Sequence, residues 1–527
     1  MSLDPVQAEI WLFIGLFAAA IPLVALARRS GVSYPIVLVL GGLLLGFVPG
    51  LPQVALNPDL VLVIFLPPLL YWESINAPTD EMRANAKPIW FLAIGLVVAT
   101  TAAVAGVAHA LIPQLGWPMA FVLGAIVAPT DELASEPVLE RLRMPRRLTA
   151  IIEGESLLND ASSLIIYAAA ITATVTGVFE FWRTLGQFFL SGFGGVAVGL
   201  VAGRLAVLGW RRIKDTELQL VISFTVPFLA YVSAQWLGLS GVLAVVYMGI
   251  YVNGFTPKVL TATARIQASG FWNTLVFFAN ALLFLLVGLQ LHAVTNRVLA
   301  ENSWLTILWY ALVVNATILG TRFAWCLIQE YVPLLGRTTC GSEPNWREAV
   351  ITAWSGLRGA VSLAAALAIP LTVASGLPTP QRSLVVFLTF SAILVTLVGG
   401  GLTLPLVIRM LRVPPAPGDG DELKLANQAM NQAALKRLEQ LEHDGAIGEP
   451  DAAVFRTRFE RRLDPSPQNP QRARHAAAER ALLDAQRAAL IDLRAQGKLD
   501  NTTLRRFQRW LDVSEVSIPP IRLAEDE

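Results

Sequence analysis

The sequence predicts an all-α polytopic membrane protein of about thirteen transmembrane helices followed by a helical cytoplasmic tail. Three observations lead there. Only 15% of the 527 residues are charged while 54% are hydrophobic, with mean hydropathy +0.56, whereas soluble domains carry roughly a quarter charged residues. The charge deficit is spread over the first four-fifths of the chain as repeated apolar runs of bilayer length. After Arg412 the composition changes abruptly to a polar, Ala/Arg/Glu-rich tail.

Taken in order, the runs fall at 9–27, 33–49, 58–75, 89–112, 117–135, 148–173, 185–210, 218–236, 240–253, 271–293, 303–330, 347–372 and 382–410. The first starts near Ile10 with no basic stretch before it and no small-residue cleavage site, so it reads as a retained helix. The eighth and ninth are divided only by the uncharged turn Trp236–Ser240. Basic residues give the orientation. With the N-terminus outside, Arg28, Arg83, Arg141, Arg211, Lys258 and their neighbours lie inside, and the outer loops keep only Arg183, Arg297 and Arg382. An odd number of spans then leaves the tail in the cytoplasm. This predicts a membrane domain over 1–412, a Pro-rich linker over 413–420 and a tail over 421–527. In the tail, Leu435, Leu438 and Leu441, and then Leu482, Leu483 and Leu490, recur at helical spacing. No motif in the tail names a partner or regulatory ligand.

Several function classes lack their residues. Net charge is +1, which gives no field for nucleic acid. Cys326 and Cys340 make no disulfide framework, and His109, His292, His443 and His475 are scattered, so zinc chemistry has no support. No Walker-type loop suggests ATP-driven pumping. A membrane enzyme would need a nucleophile–base pair or a metal motif within its spans, and a channel would need no proton counterflow.

Ionisable residues inside apolar spans are functional candidates, because each costs a few kcal/mol or more in lipid. The sixth span opens Ile152-Glu-Gly-Glu-Ser-Leu-Leu-Asn-Asp160. Ser156 and Asp160 are four apart and share one helix face; Glu155 and Asn159 share the adjacent one. A carboxylate held away from water resists ionisation, and when ionised it is a hard oxygen ligand. Proton and monovalent cation can therefore compete for Asp160. In the fifth span Pro129 interrupts the helix just before Asp131 and Glu132, freeing carbonyls that can ligate a cation. In the twelfth, Arg358 sits between Gly356 and Gly359 and needs a partner, with Glu155 or Glu153 the natural choice. Glu73 near the end of the third span is a further candidate. The fifth and twelfth spans lie seven apart, as an inverted repeat of about six spans would place two interrupted helices.

These segments have a family look. Gly154-Glu-Ser-Leu-Leu-Asn-Asp-Ala161, Gly356-Leu-Arg-Gly-Ala-Val-Ser-Leu-Ala364 and Leu66-Pro-Pro-Leu-Leu-Tyr71 resemble the signature segments of sodium/proton exchangers of the NhaP and NHE type, over about residues 8–412. The resemblance implies a homodimer with a dimer domain and a core domain, two crossed broken helices at the site, and an elevator-like form of alternating access. It makes Asp160 the ion and proton carrier and Ser156 a ligand. Thr130 adds ligation, Asp131 supports a bound water, and Glu73 completes the shell, so that sodium sits at Asp160, Ser156, Thr130 and Glu73. Glu155 and Arg358 become a buried structural pair. Asn159 beside Asp160 implies electroneutral exchange, one cation for one proton, without a resident cofactor. One departure stands out. The family pattern Thr-Asp-Pro-Val-Ala reads Thr130-Asp-Glu-Leu-Ala134 here. Glu132 thus adds an acid beside the site, where it is expected to face a cytoplasmic funnel, and the choice among sodium, lithium and potassium turns on it.

Overall fold

A segment in lipid must satisfy its own backbone hydrogen bonds, and the apolar runs accordingly fold as helices. The computed structural model describes residues 5–48, 58–178, 181–301, 303–332, 344–414, 420–463 and 470–496, with isolated positions beyond. Positions 415–419 of the expected linker, Arg337 and Cys340 lie outside the described residues. The described chain divides into two units, Met1–Ala416 and Pro417–Glu527.

In the first unit the order is α1 (Pro5–Ser30), α2 (Tyr34–Leu45), α3 (Pro58–Asn76), α4 (Thr79–Ala84) and α5 (Ala86–Trp90). A π-helical segment, Phe91–Leu96, joins α5 to α6 (Val97–Leu111). Next come α7 (Trp117–Val127), α8 (Glu136–Arg141), α9 (Arg146–Thr176), α10 (Phe181–Arg212), α11 (Thr216–Trp236) and α12 (Gly241–Asn253). They are followed by α13 (Thr256–Val259), α14 (Ala262–Glu301), α15 (Trp304–Tyr331), α16 (Trp346–Trp354) and α17 (Ala360–Leu367). The last crossing is α18 (Arg382–Ile393), a second π-helical segment (Leu394–Gly400) and α19 (Gly401–Leu411). Seven described helices are long and apolar enough to cross a membrane, and three shorter apolar ones, α2, α7 and α12, accompany them.

Local chemistry sets the ends. Asp215 caps α11 by accepting the Leu218 N–H at 2.9 Å, Ser240 does the same for α12, and Asn345 for α16. Gly177 closes α9 at φ +72°, a left-handed stop that costs glycine nothing. The two π-helical segments are braced from outside. In the first, the Phe91 carbonyl accepts Trp325 Nε1 at 3.2 Å and the Ala93 carbonyl accepts Ser162 Oγ at 2.5 Å.

Lipid supplies no hydrophobic drive between helices, so close backbone approach does much of the packing. The seam of α2 and α14 shows it: a Cβ on Gly42 would strike the Leu285 carbonyl, and one on Gly288 the Val39 carbonyl. By contrast, α10 is only 11% buried over its most apolar stretch and presents Trp182, Phe189 and Phe193 outward.

The second unit holds α20 (Gly420–His443), α21 (Glu449–Leu463) and α22 (Pro470–Ala495). Leu438 and Ala452 are buried, and Arg456 bonds Glu442 at 2.7 Å across the α20–α21 turn. Leu435 and Leu441, expected beside Leu438, are only partly buried.

Candidate functional site

The helix α7 stops at Val127, just before Pro129, and a non-helical stretch that closes in a turn at 133–135 leads to α8. Ser355–Gly359 likewise separates α16 from α17. The two breaks meet. The Asp131 N–H donates to the Leu357 carbonyl at 2.7 Å, and the two residues form an isolated antiparallel bridge.

A broken helix exposes its last carbonyls, and two arginines cover them here. Arg358 Nε donates to the Val127 carbonyl at the end of α7 (3.1 Å) and Nη1 to the Gly356 carbonyl (2.6 Å). Arg322, from α15, donates Nε to Ala353 O and Nη2 to Thr352 O, both 3.0 Å, at the end of α16. Each guanidinium thus sits at the negative end of a half-helix.

The expected Glu155–Arg358 pair is not what the structure contains. Glu155 binds Arg322 in a two-pronged bridge, Nη1–Oε1 at 2.5 Å and Nη2–Oε2 at 3.0 Å. Among the described residues no ion pair joins Arg358 to Glu155 or Glu153. The physical reason is that Arg358 spends its donors on backbone carbonyls opened by the two breaks. Arg322 does both jobs: it caps α16 and balances Glu155. Sequence reading passed over Arg322, although a mid-span arginine in 303–330 meets the same criterion that singled out Arg358. The flanking glycines follow from these neighbours, because a Cβ on Gly356 would collide with the Arg322 guanidinium and one on Gly359 with the Asp131 carboxylate.

The cavity beside the breaks is lined by Leu66, Leu69, Leu70 and Glu73 of α3, by Pro129, Thr130, Asp131 and Leu133, by Ser156 and Asp160 of α9, by Asn280 of α14, and by Gly359, Val361 and Ser362. Five residues named from sequence therefore surround one space: Glu73, Thr130, Asp131, Ser156 and Asp160. Asp160 is 8% exposed, and among the described residues no hydrogen bond or ion pair engages its carboxylate. Ser156 Oγ donates to the Thr130 carbonyl at 3.0 Å, which leaves the hydroxyl lone pairs for an incoming group. Thr130 Oγ1 donates to Glu155 Oε1 at 3.3 Å and accepts from Asn159 Nδ2 at 2.8 Å. Asp131 Oδ1 accepts the Leu133 N–H at 2.9 Å.

Asn159, expected at the ion site, and Glu132, expected at its cytoplasmic approach, are placed otherwise. Asn159 does not line the cavity; it holds Thr130 from behind. Glu132, expected to face a water-filled approach, is 8% exposed and lies off the cavity. Its carbonyl accepts the Ser135 and Glu136 N–H groups that start α8. Two polar cavity residues were missed from sequence, Asn280 and Ser362. The signal for Asn280 is an amide in the otherwise apolar stretch Leu275–Leu289.

Comparisons with known proteins agree with this geometry. The family described as "Sodium/hydrogen exchanger, transmembrane" matches residues 15–410. An uncharacterized Na+/H+ exchanger of Mycobacterium tuberculosis is 35% identical, covering 96% of this chain and 95% of its own. The sodium, potassium, lithium and rubidium/H+ antiporter of Bacillus pumilus is 31% identical over 81% of this chain and 66% of its own length. Among solved structures, the sodium proton antiporter MjNhaP1 from Methanocaldococcus jannaschii at pH 8 superposes with a TM-score of 0.60 at 19% identity, covering 78% of this chain and all of that one, a likeness of fold. With the family matched over most of the chain and a relative alike over nearly its whole length, this protein belongs to the sodium/hydrogen exchanger family of membrane antiporters.

Proposed function

We propose that the chain exchanges sodium for protons across the cytoplasmic membrane at the Asp160 cavity, one cation for one proton. The observation that carries this reading is the contrast between two carboxylates on α9. Glu155 is neutralised by Arg322, whereas Asp160 faces the cavity with neither counter-ion nor hydrogen bond among the described residues. A buried carboxylate without a partner is stable when it holds a proton or a cation, and not otherwise. Competition for one group is then the coupling: loading sodium requires the proton to leave. Asp160, Ser156, Thr130 and Glu73 form the sodium shell, and Asp131 positions a water. Asn159 is an amide spent on Thr130, which keeps the carrier on α9 to a single titrating group and the exchange electroneutral.

The same reading takes thirteen crossings with inverted repeats, N-terminus outside and tail in the cytoplasm. The membrane domain spans 1–412, and 421–527 form a tail on a linker at 413–420. The chain acts as a homodimer in lipid whose core carries the ion by elevator-like alternating access, in the service of pH and cation homeostasis. Lithium and potassium are further substrates; the likeness to the sodium, potassium, lithium and rubidium/H+ antiporter of Bacillus pumilus favours this breadth. Proteoliposomes with an internal pH dye test the reading. Adding sodium, lithium or potassium should dissipate an imposed proton gradient at a rate independent of membrane potential. If none of the three does so, the exchange reading fails; a rate that follows the potential would end the one-for-one stoichiometry alone.

A further inference from the structure

The amide of Asn280 is the odd group in the cavity wall. Asn280 is fully buried (0% exposed), and neither Oδ1 nor Nδ2 has a hydrogen-bond partner among the described residues. The Tyr34 phenol of α2 lies beside it without completing a hydrogen bond by strict geometry. Burying an amide unsatisfied is unfavourable, so its place in an apolar run of α14 calls for something it binds. What it faces is the space that also holds Glu73, Asp131, Ser156 and Asp160.

An asparagine offers a neutral carbonyl oxygen, a donor that hard cations accept beside carboxylates. It adds no charge and no titrating proton. Asp160, Ser156 and Thr130 approach the cavity from α9 and the break after α7, and Asn280 comes from α14. We propose that Asn280 is a cation-selecting residue, whose Oδ1 ligates the transported cation or its retained water from the α14 side. The proposal rests on the exchange reading above. A neutral oxygen at that side discriminates by distance rather than by charge. Its loss falls most heavily on cations small enough to need every oxygen in the shell.

The test uses the full-length chain in proteoliposomes, as wild type, Asn280→Leu, Asn280→Ala and Asn280→Ser, with sodium, lithium and potassium as probes. Asn280→Leu and Asn280→Ala should raise the apparent KM for sodium roughly tenfold, the loss expected for one oxygen contact to a charged group, with the maximal rate little changed. The sodium-to-potassium KM ratio should shift toward potassium, and Asn280→Ser, which keeps an oxygen, should recover part of it. Thermal stability in detergent should be unchanged or higher in Asn280→Leu, since an unsatisfied amide is removed. Unchanged KM values and ratios would overturn the proposal. So would an equal rise for all three cations accompanied by lost stability, which is the mark of a merely structural asparagine. If one variant does not fold, the other two carry the same comparison. A wild type that exchanges no cation sinks the exchange reading instead, a distinct outcome.

Discussion

Arg322 and Glu155 stand 167 residues apart in sequence and meet in a buried two-pronged ion pair. Arg358 makes no such pair among the described residues and holds the carbonyls of Val127 and Gly356 instead. The division of labour has measurable consequences.

Breaking the pair strands a buried charge, which costs about 3–5 kcal/mol. Glu155→Ala and Arg322→Ala should each lower the melting temperature in detergent sharply, and the double variant by clearly less than their sum. Glu155→Ala combined with Arg358→Ala should instead be close to additive. Coupling of Glu155 to Arg358 as strong as to Arg322 would refute this assignment.

Asp160→Asn should abolish exchange of every cation while leaving melting temperature equal to wild type or above it. The variant removes a buried carboxylate that has no partner to lose, so no interaction offsets the gain in desolvation. Retained exchange, or a large loss of stability, would take Asp160 out of the carrier role.

A methyl group at position 359 must displace the Asp131 carboxylate, and one at 356 the Arg322 guanidinium. Gly359→Ala is therefore expected to lower the exchange rate, and Gly356→Ala to lower stability by about 1–3 kcal/mol, as overpacking does. Gly106→Ala and Gly320→Ala, where a Cβ meets nothing, are the controls. Rates and melting temperatures of all four variants, measured side by side, decide the matter; four equal results would remove the steric argument.

Asn159→Asp should not simply add a second carrier. Thr130 Oγ1 already gives its proton to Glu155 and needs the Asn159 N–H as donor. A carboxylate there faces an acceptor, and the lost donor costs about 1–3 kcal/mol. The expected result is a large fall in exchange and a lower melting temperature. Vigorous potential-driven exchange by a protein of normal stability would contradict it.

Much of this was legible in the chain because lipid makes polar residues conspicuous. Pro129 announced one break, Gly356 and Gly359 the other, and Glu155, Asp160, Arg358 and Glu73 stood out as charges in apolar runs. Which charges meet was not legible. Helical spacing fixes neighbours four residues apart, such as Ser156 and Asp160, but says nothing about α15 reaching α9. Arg322 was visible and went unweighed. The π-helical segments had no sequence sign: Phe91–Leu96 is set by Trp325 and Ser162 from other helices. Glu132 misled because a residue next to Asp131 in sequence need not share its cavity: its side chain is buried off the lining.

The bridge between Asp131 and Leu357 makes the site sensitive to length rather than to chemistry. The bridge is one residue pair, so its alignment rests on the single hydrogen bond from the Asp131 N–H to the Leu357 carbonyl. Deleting one residue between Pro129 and Glu132, or inserting one between Ser355 and Gly359, would change which residues meet at the bridge and take Asp131 or Arg358 from its present neighbours. Substitutions here can be graded from mild to severe; insertions and deletions cannot.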